Sequence, residues 1–188
     1  MRLPASGFTL IELMVSLTVL AILAMVATPS YLDFFDRTRV RGAADDVVSL
    51  VANARAEAVK NDLDISLAMT GSGTAWCLGG SAAAAPSGGE PAADAAPCDC
   101  SDSSDCLVSG RRLAVDSAAY PEVSVTAPLG SALVLDGTLG ALTPLAAHGL
   151  TLTSPSGKYD VRVEMSGLGL ARLCTPAGKP TMSAVPPC

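Results

Sequence analysis

The residues of this chain that could do chemistry are few, and their spacing matters more than their number. Glu12 is the one charged residue inside the apolar run from Phe8 to Thr28, FTLIELMVSLTVLAILAMVAT. A carboxylate in such surroundings is costly without a cation, so this position calls for a partner and a function. The six cysteines, Cys77, Cys98, Cys100, Cys106, Cys174 and Cys188, fall into a group of four and a C-terminal pair. An even count behind an export-type N-terminus predicts disulfides. Cys174 with Cys188 would close the tail as a loop. Cys98-Asp99-Cys100 is too tight to bridge its own two cysteines. Cys77 is therefore expected to pair with Cys98, Cys100 or Cys106, leaving the other two to join. Cys77–Cys98 with Cys100–Cys106 is the preferred arrangement.

Other chemistries find less support. A zinc site needs four ligands at closed spacing, and the single histidine, His148, is far in sequence from Cys98-x-Cys100-x5-Cys106. Asp99, Asp102 and Asp105 offer oxygens, but without the ligand spacing and glycine of a calcium loop, so a solvated acidic loop is expected. His148 lies among turn residues and reads as a surface or strand-end histidine. There is no G-x-S-x-G elbow, H-E-x-x-H pair or phosphate-cradling loop, and Gly167-Leu168-Gly169 reads as a turn. The expectation is a non-enzyme with no metal and no cofactor.

The elements that must carry these residues follow from periodicity. Residues 8–29 are long and apolar enough to cross a bilayer as a helix. Over 30–62 the apolar positions Ala43, Val47, Leu50, Val51, Ala54 and Ala58 recur at three- and four-residue spacing, which predicts an amphipathic helix to about Asn61. Arg37, Arg39 and Arg41 follow the apolar run as a solvated face or a contact for lipid headgroups or a neighbouring subunit. From residue 63 to 188 the pattern is β-rich. Short runs at Asp64–Met69, Arg112–Val115, Val123–Thr126, Ala132–Leu135, Thr151–Thr153 and Asp160–Met165 are separated by Gly, Pro, Ser and Asp, with a hairpin expected at Ser154–Gly157. Residues 79–97, rich in Ala, Gly and Pro, read as a mobile surface loop. An apolar helix stripe needs a cover, so the fold class is α+β: one long helix, with a transmembrane half and an amphipathic half, packed on a small antiparallel β-domain. With aromatics only 4% of the chain, the core must rest on Val, Leu, Ile and Ala.

The stretch Gly7-Phe8-Thr9-Leu10-Ile11-Glu12-Leu13 resembles the G-F-T-L-I-E signature of type IV prepilins and pseudopilins. That resemblance implies residues 1–7 as a leader, cleavage between Gly7 and Phe8 by a prepilin peptidase, and N-methylation of Phe8. It further implies that Glu12 pairs with the N-terminal amine of a neighbouring subunit during assembly, and that Pro29 stands where pilins often carry a helix-kinking proline. Asn53-Ala54-Arg55-Ala56-Glu57-Ala58-Val59 is similar to the A-R-x-E-A segment of the FimT/FimU and GspH minor pilins. Trp76-Cys77-Leu78-Gly79 matches a later W-x-x-G element of theirs loosely, and their globular domain packs two small β-sheets on the helix.

The function so implied is a minor type IV pilin that helps to initiate or cap pilus assembly. Its partners would be other major and minor pilins or pseudopilins, the prepilin peptidase, the inner-membrane assembly platform and the lipid bilayer. It would cross the inner membrane once, with a periplasmic C-terminal domain, before entering a pilus or pseudopilus. A GspH-like pseudopilin of a type II secretion system is the alternative. A DNA-binding pilin is the third reading, with Arg162, Arg172 and Lys179 as contacts. Against it, the Gly169-Leu170-Ala171-Arg172 stretch lacks the first arginine of the G-R-x-R element of some FimT proteins. The net charge is −6 as well, and setting aside Arg2 and Glu12 leaves 11 basic against 17 acidic residues, whereas phosphate contact relies on clustered Lys and Arg.

Overall fold

A computed structural model describes residues 8–83, 98–100, 102, 104–127, 129–130 and 132–188. The chain divides into two compact units, 1–35 and 36–188. The helix α1, Leu10–Asn61, contributes to both.

In the first unit the helix is exposed on every side. Its most apolar 18-residue window has a mean hydropathy of 2.5, with none of it buried. Side chains such as Leu10, Leu20, Met25 and Val26 are all more than half exposed. A helix apolar all round and covered by nothing of its own is suited to lipid or to other helices. Three of its hydroxyls suit the same setting: Ser16, Thr18 and Thr28 donate to the carbonyls of Glu12, Met14 and Ala24 at 2.7–2.8 Å, which satisfies each of these donors within the helix.

In the second unit the same helix is one-sided. Val40, Ala43, Ala44, Val47, Leu50, Val51, Ala54 and Ala58 are buried, including every position in the expected stripe. β1 (Ile65–Ser72), β2 (Ala75–Ala82), β5 (Ala114–Asp116), β7 (Leu133–Leu135) and β8 (Leu142–Thr143) form a sheet in the order β5-β2-β1-β7-β8. β6 (Ser124–Ala127), β9 (His148–Thr153), β10 (Asp160–Met165) and β11 (Ala171–Cys174) form a second, ordered β11-β10-β9-β6. β3 (Leu107–Val108) and β4 (Arg111–Arg112) make a separate ribbon. All pairings are antiparallel. The expected α+β class with two antiparallel sheets is therefore observed. Leu67, Leu78, Leu133, Leu150, Leu152, Val161 and Val163 join the helix stripe in one core. Trp76, 3% exposed, donates its indole N–H to the Val123 carbonyl at 2.9 Å, which satisfies its only polar atom.

Two expectations need correction. Arg112–Val115 is not one strand. Leu113 is 1% exposed, accepts from the Gly80 N–H and donates to the Cys106 carbonyl, each at 2.8 Å, so the chain passes there from the ribbon to the first sheet. Residues 79–82 are not part of a loop either; they end β2, with Gly79 and Gly80 buried. Glycine there serves close approach rather than mobility. Residues 84–97, the rest of the expected loop, lie outside the described residues. The hairpin at Ser154–Gly157 is present, with the Gly157 N–H donating to the Ser154 carbonyl at 2.8 Å and φ of 73° at Gly157.

Candidate assembly site

The helix begins directly after Phe8. Thr9 caps it: its Oγ1 accepts the Glu12 N–H at 3.3 Å and its carbonyl accepts the Leu13 N–H at 3.2 Å. Thr9 and Glu12 thus stand at the first and fourth positions of an S/T-x-x-E capping signature, legible in the sequence but overlooked beside the longer motif. Phe8 is 74% exposed, Glu12 is exposed too, and the Glu12 carboxylate has no partner among the described residues. A cationic amine at Phe8 would stand at the positive end of the helix dipole, where it is disfavoured, whereas a carboxylate in the first turn is favoured. Gly7 lies outside the described residues. The helix continues through Pro29, so local melting is not observed there, although proline leaves the Met25 carbonyl without its usual donor.

The helix's far end is held to the β-domain by two ionisable residues whose role the sequence reading missed. Arg55 donates from Nε to the Gly140 carbonyl at 3.1 Å and from Nη2 to the Leu139 carbonyl at 3.5 Å. Gly140 and Gly169 both have positive φ, and a Cβ on Gly140 would meet Arg55 Cγ at 2.7 Å, so the arginine stem and these glycines require each other. Glu57 is 6% exposed. Asn61 Nδ2 donates to its Oε2 at 3.0 Å, Arg111 Nη1 to its Oε1 at 3.4 Å, and Lys60 lies 3.8 Å away. The Asn61 hydrogen bond, with Lys60 and Arg111 assisting, holds the Glu57 carboxyl below its ordinary value of 4.5. Contacts from Thr138 and the Leu139 N–H lower Asp136 likewise. Groups of lowered pKa contribute stability above their unfolded values and lose it as pH falls through the folded ones. The urea midpoint of the wild-type protein should therefore fall on acidification below about pH 4.5, and Glu57→Gln should flatten that fall. Parallel profiles would show that Glu57 contributes nothing to it.

The cysteines form three disulfides. Cys174 is joined to Cys188, with Cα atoms 4.9 Å apart, as expected. The group of four pairs as Cys77–Cys100 and Cys98–Cys106, which corrects the preferred arrangement. Arg112 explains part of the difference: it donates to the Cys100 carbonyl at 2.5 Å. Asp105 also accepts the Asp99 and Cys106 N–H groups, both at 2.8 Å. These bonds fold the 98–106 loop back on itself and set Cys98 against Cys106. The Asp102 carboxylate accepts from Ser104 N–H at 2.8 Å and Oγ at 2.6 Å. Asp102 and Asp105 thus turn toward the loop's own backbone.

The three basic residues considered for DNA do not form one patch of unpaired charge. Arg172 donates to Glu164 at 2.8 Å, Arg162 lies 3.7 Å from the same carboxylate, and Lys179 is 3.3 Å from Asp160. His148 opens β9, the strand-end position expected of it.

An exposed apolar helix with a capped, carboxylate-bearing start, followed by a disulfide-bonded α+β domain of two antiparallel sheets, defines the class by its fold. Residues 2–28 match the prokaryotic N-terminal methylation motif, and residues 43–169 match the family described as type II transport protein GspH. The second match covers more than half of the chain, and the chain belongs to the GspH family. Two fimbrial proteins of Pseudomonas aeruginosa are each 37% identical over 73 residues, 39% of this chain and 47% of theirs. The chain thus spans about half the length of the curated relatives it matches. A crystal structure of the type IV minor pilin FimU of Pseudomonas aeruginosa aligns with a TM-score of 0.43 at 17% identity, covering 71% of this chain and 90% of that one. A second crystal form aligns with the same TM-score at 15% identity, covering 74% and 91%.

Proposed function

We propose that this chain is a minor type IV pilin, a structural subunit and not an enzyme, that helps to initiate or cap a pilus. The observation that carries the reading is the helix start: a Thr9 cap one residue after Phe8, and Glu12, without a partner among the described residues and the one charge between Phe8 and Thr28. Cleavage between Gly7 and Phe8 by a prepilin peptidase and methylation of the new amine would leave Phe8 beside that cap. Before assembly the apolar helix sits in the inner membrane, with the disulfide-bonded domain in the oxidising periplasm. An assembly platform then draws it into a filament with major and minor pilins, and the Phe8–Thr28 helices exchange lipid for one another. Pro29 serves as the point where the helix can bend during that transfer.

The test is mass spectrometry of filaments sheared from the producing cells. Recovery of this chain beginning at N-methylated Phe8 is the expected result. Recovery with residues 1–7 still attached, where the peptidase is active, would overturn the reading. The match to the GspH family over 43–169 favours a second reading, a pseudopilin of a type II secretion system, for which the processed chain would be found only in the envelope. DNA uptake is less well served, because Arg162 and Arg172 share Glu164. No duplex mobility shift is expected even at low salt; a shift lost in Arg172→Ala would restore that role.

A further inference from the structure

Two adjoining hollows lie on the β-domain, and the assignments above leave both unused. The first, about 510 Å³, runs between the exposed helix side chains Ala52, Ala56 and Val59 and the turn residues Leu139 and Leu170. The second, about 400 Å³, lies beside β10 and β11. Leu170 and Ala171 line both and form the ridge between them. Leu139 is 73% exposed and Leu170 57%. Leu145 is as exposed as Leu139, and it packs so close to Gly167 that a Cβ there would meet its Cδ1 at 3.2 Å. Exposed leucines grouped on three loop segments mark an interaction surface.

The charge around this surface runs against the rest of the chain. Four cations line the hollows, Arg55, Lys60, Arg162 and Arg172, against one lining carboxylate, Glu164, which pairs with both Arg162 and Arg172; Lys60 stands 3.8 Å from Glu57, so the rim keeps a smaller net positive charge. The whole protein carries −6. We infer that this leucine ridge with its basic rim is a docking surface for the apolar, acid-rimmed face of a different subunit of the same filament. A two-fold contact with a second copy would set basic rim against basic rim, and like charges opposed across an interface are costly. Nucleic acid would use the cations but leave the leucines in water.

The inference rests on the proposed filament role, and its test separates the two. A photo-crosslinking residue is placed at Leu139 or Leu170 in the full chain in producing cells, with Leu107, exposed but outside both hollows, as control. The expected result is an adduct from both positions, absent from Leu107, to another chain that starts with N-methylated phenylalanine. Leu139→Glu with Leu170→Glu should lower the amount in sheared filaments at least tenfold, with unchanged envelope level and intact disulfide mass. Adducts to this same chain, adducts lost to nuclease, or no adduct would each overturn the surface. So would normal incorporation of the double variant. If the unmodified wild-type chain retains residues 1–7, the filament role fails instead, whatever the crosslinks show.

Discussion

Glu12→Ala will leave the chain inserted in the membrane and cut after Gly7, yet lower its incorporation into filaments by at least tenfold. Glu12 makes no side-chain contact within the described residues, so the helix does not depend on it for packing. The Thr9 cap uses the Glu12 backbone N–H, which alanine keeps. What alanine loses is the carboxylate. Leaving one partner of a buried ion pair without its counter-charge costs about 3–5 kcal/mol, and each 1.4 kcal/mol is about tenfold in an equilibrium. A tenfold loss is therefore a lower bound, which allows for water and lipid headgroups that screen the amine left behind. Glu12→Gln retains the shape without the charge and should be as defective as alanine. Quantitative immunoblotting of sheared and envelope fractions reads the effect. Wild-type incorporation of the glutamine variant would mean that charge plays no part in assembly.

Gly79→Ala should cause a large loss of stability in the β-domain. Gly79 sits in β2, paired with Ala68 of β1 and Ala114 of β5. A Cβ there would run into Cys98 Sγ and stand 2.8 Å from Cys106 Sγ and 3.7 Å from Cys100 Sγ. Sulfurs of both disulfides thus occupy the place of its missing side chain. They cannot swing aside as a free side chain could, because each is bonded at both ends. Overpacking of this kind costs about 1–3 kcal/mol, and weakening one crosslink adds a share of its roughly 2–4 kcal/mol. A total of about 3 kcal/mol would lower Tm by about 6–12 °C for a domain of this size. Gly80→Ala is the control. Its Cβ would meet Leu67 Cδ2 at 3.1 Å and Leu113 Cβ at 3.3 Å, contacts that ordinary side chains can relieve. Calorimetry with a free-thiol assay distinguishes the two. Equal Tm values for the two variants would show that the disulfide stack is not what excludes a side chain at Gly79.

The helix was legible because its code is local. Ala43, Val47, Leu50, Val51, Ala54 and Ala58 repeat at the helical period, and all are buried. The strands were legible in part. Asp160–Met165 alternates and is β10 in full. Arg112–Val115 looked equally strand-like, but Leu113 is taken by the core and splits the run. Periodicity says which residues favour an extended chain; it does not say which sheet they join. Glycine-rich residues 79–82 misled for a related reason. Composition cannot distinguish a glycine that confers mobility from one that makes room for a neighbour.

The sequence by itself determined the long apolar helix segment, the motif at its start, the one-sided helix that follows and the presence of disulfides. Each rests on residue type and short spacing, and none needs a distant contact to be read. Tertiary structure decided what depends on residues far apart in the chain. The Cys77–Cys100 and Cys98–Cys106 pairing is set by how the 98–106 loop folds against β2. Arg55 finds its acceptors at Leu139 and Gly140, more than 80 residues away. Glu57 meets Arg111 across 54 residues. Leu139, Leu145 and Leu170 look in the sequence like ordinary apolar residues near turns. Only the folding of their three loop segments leaves them together on the surface, where burial would otherwise have been the rule.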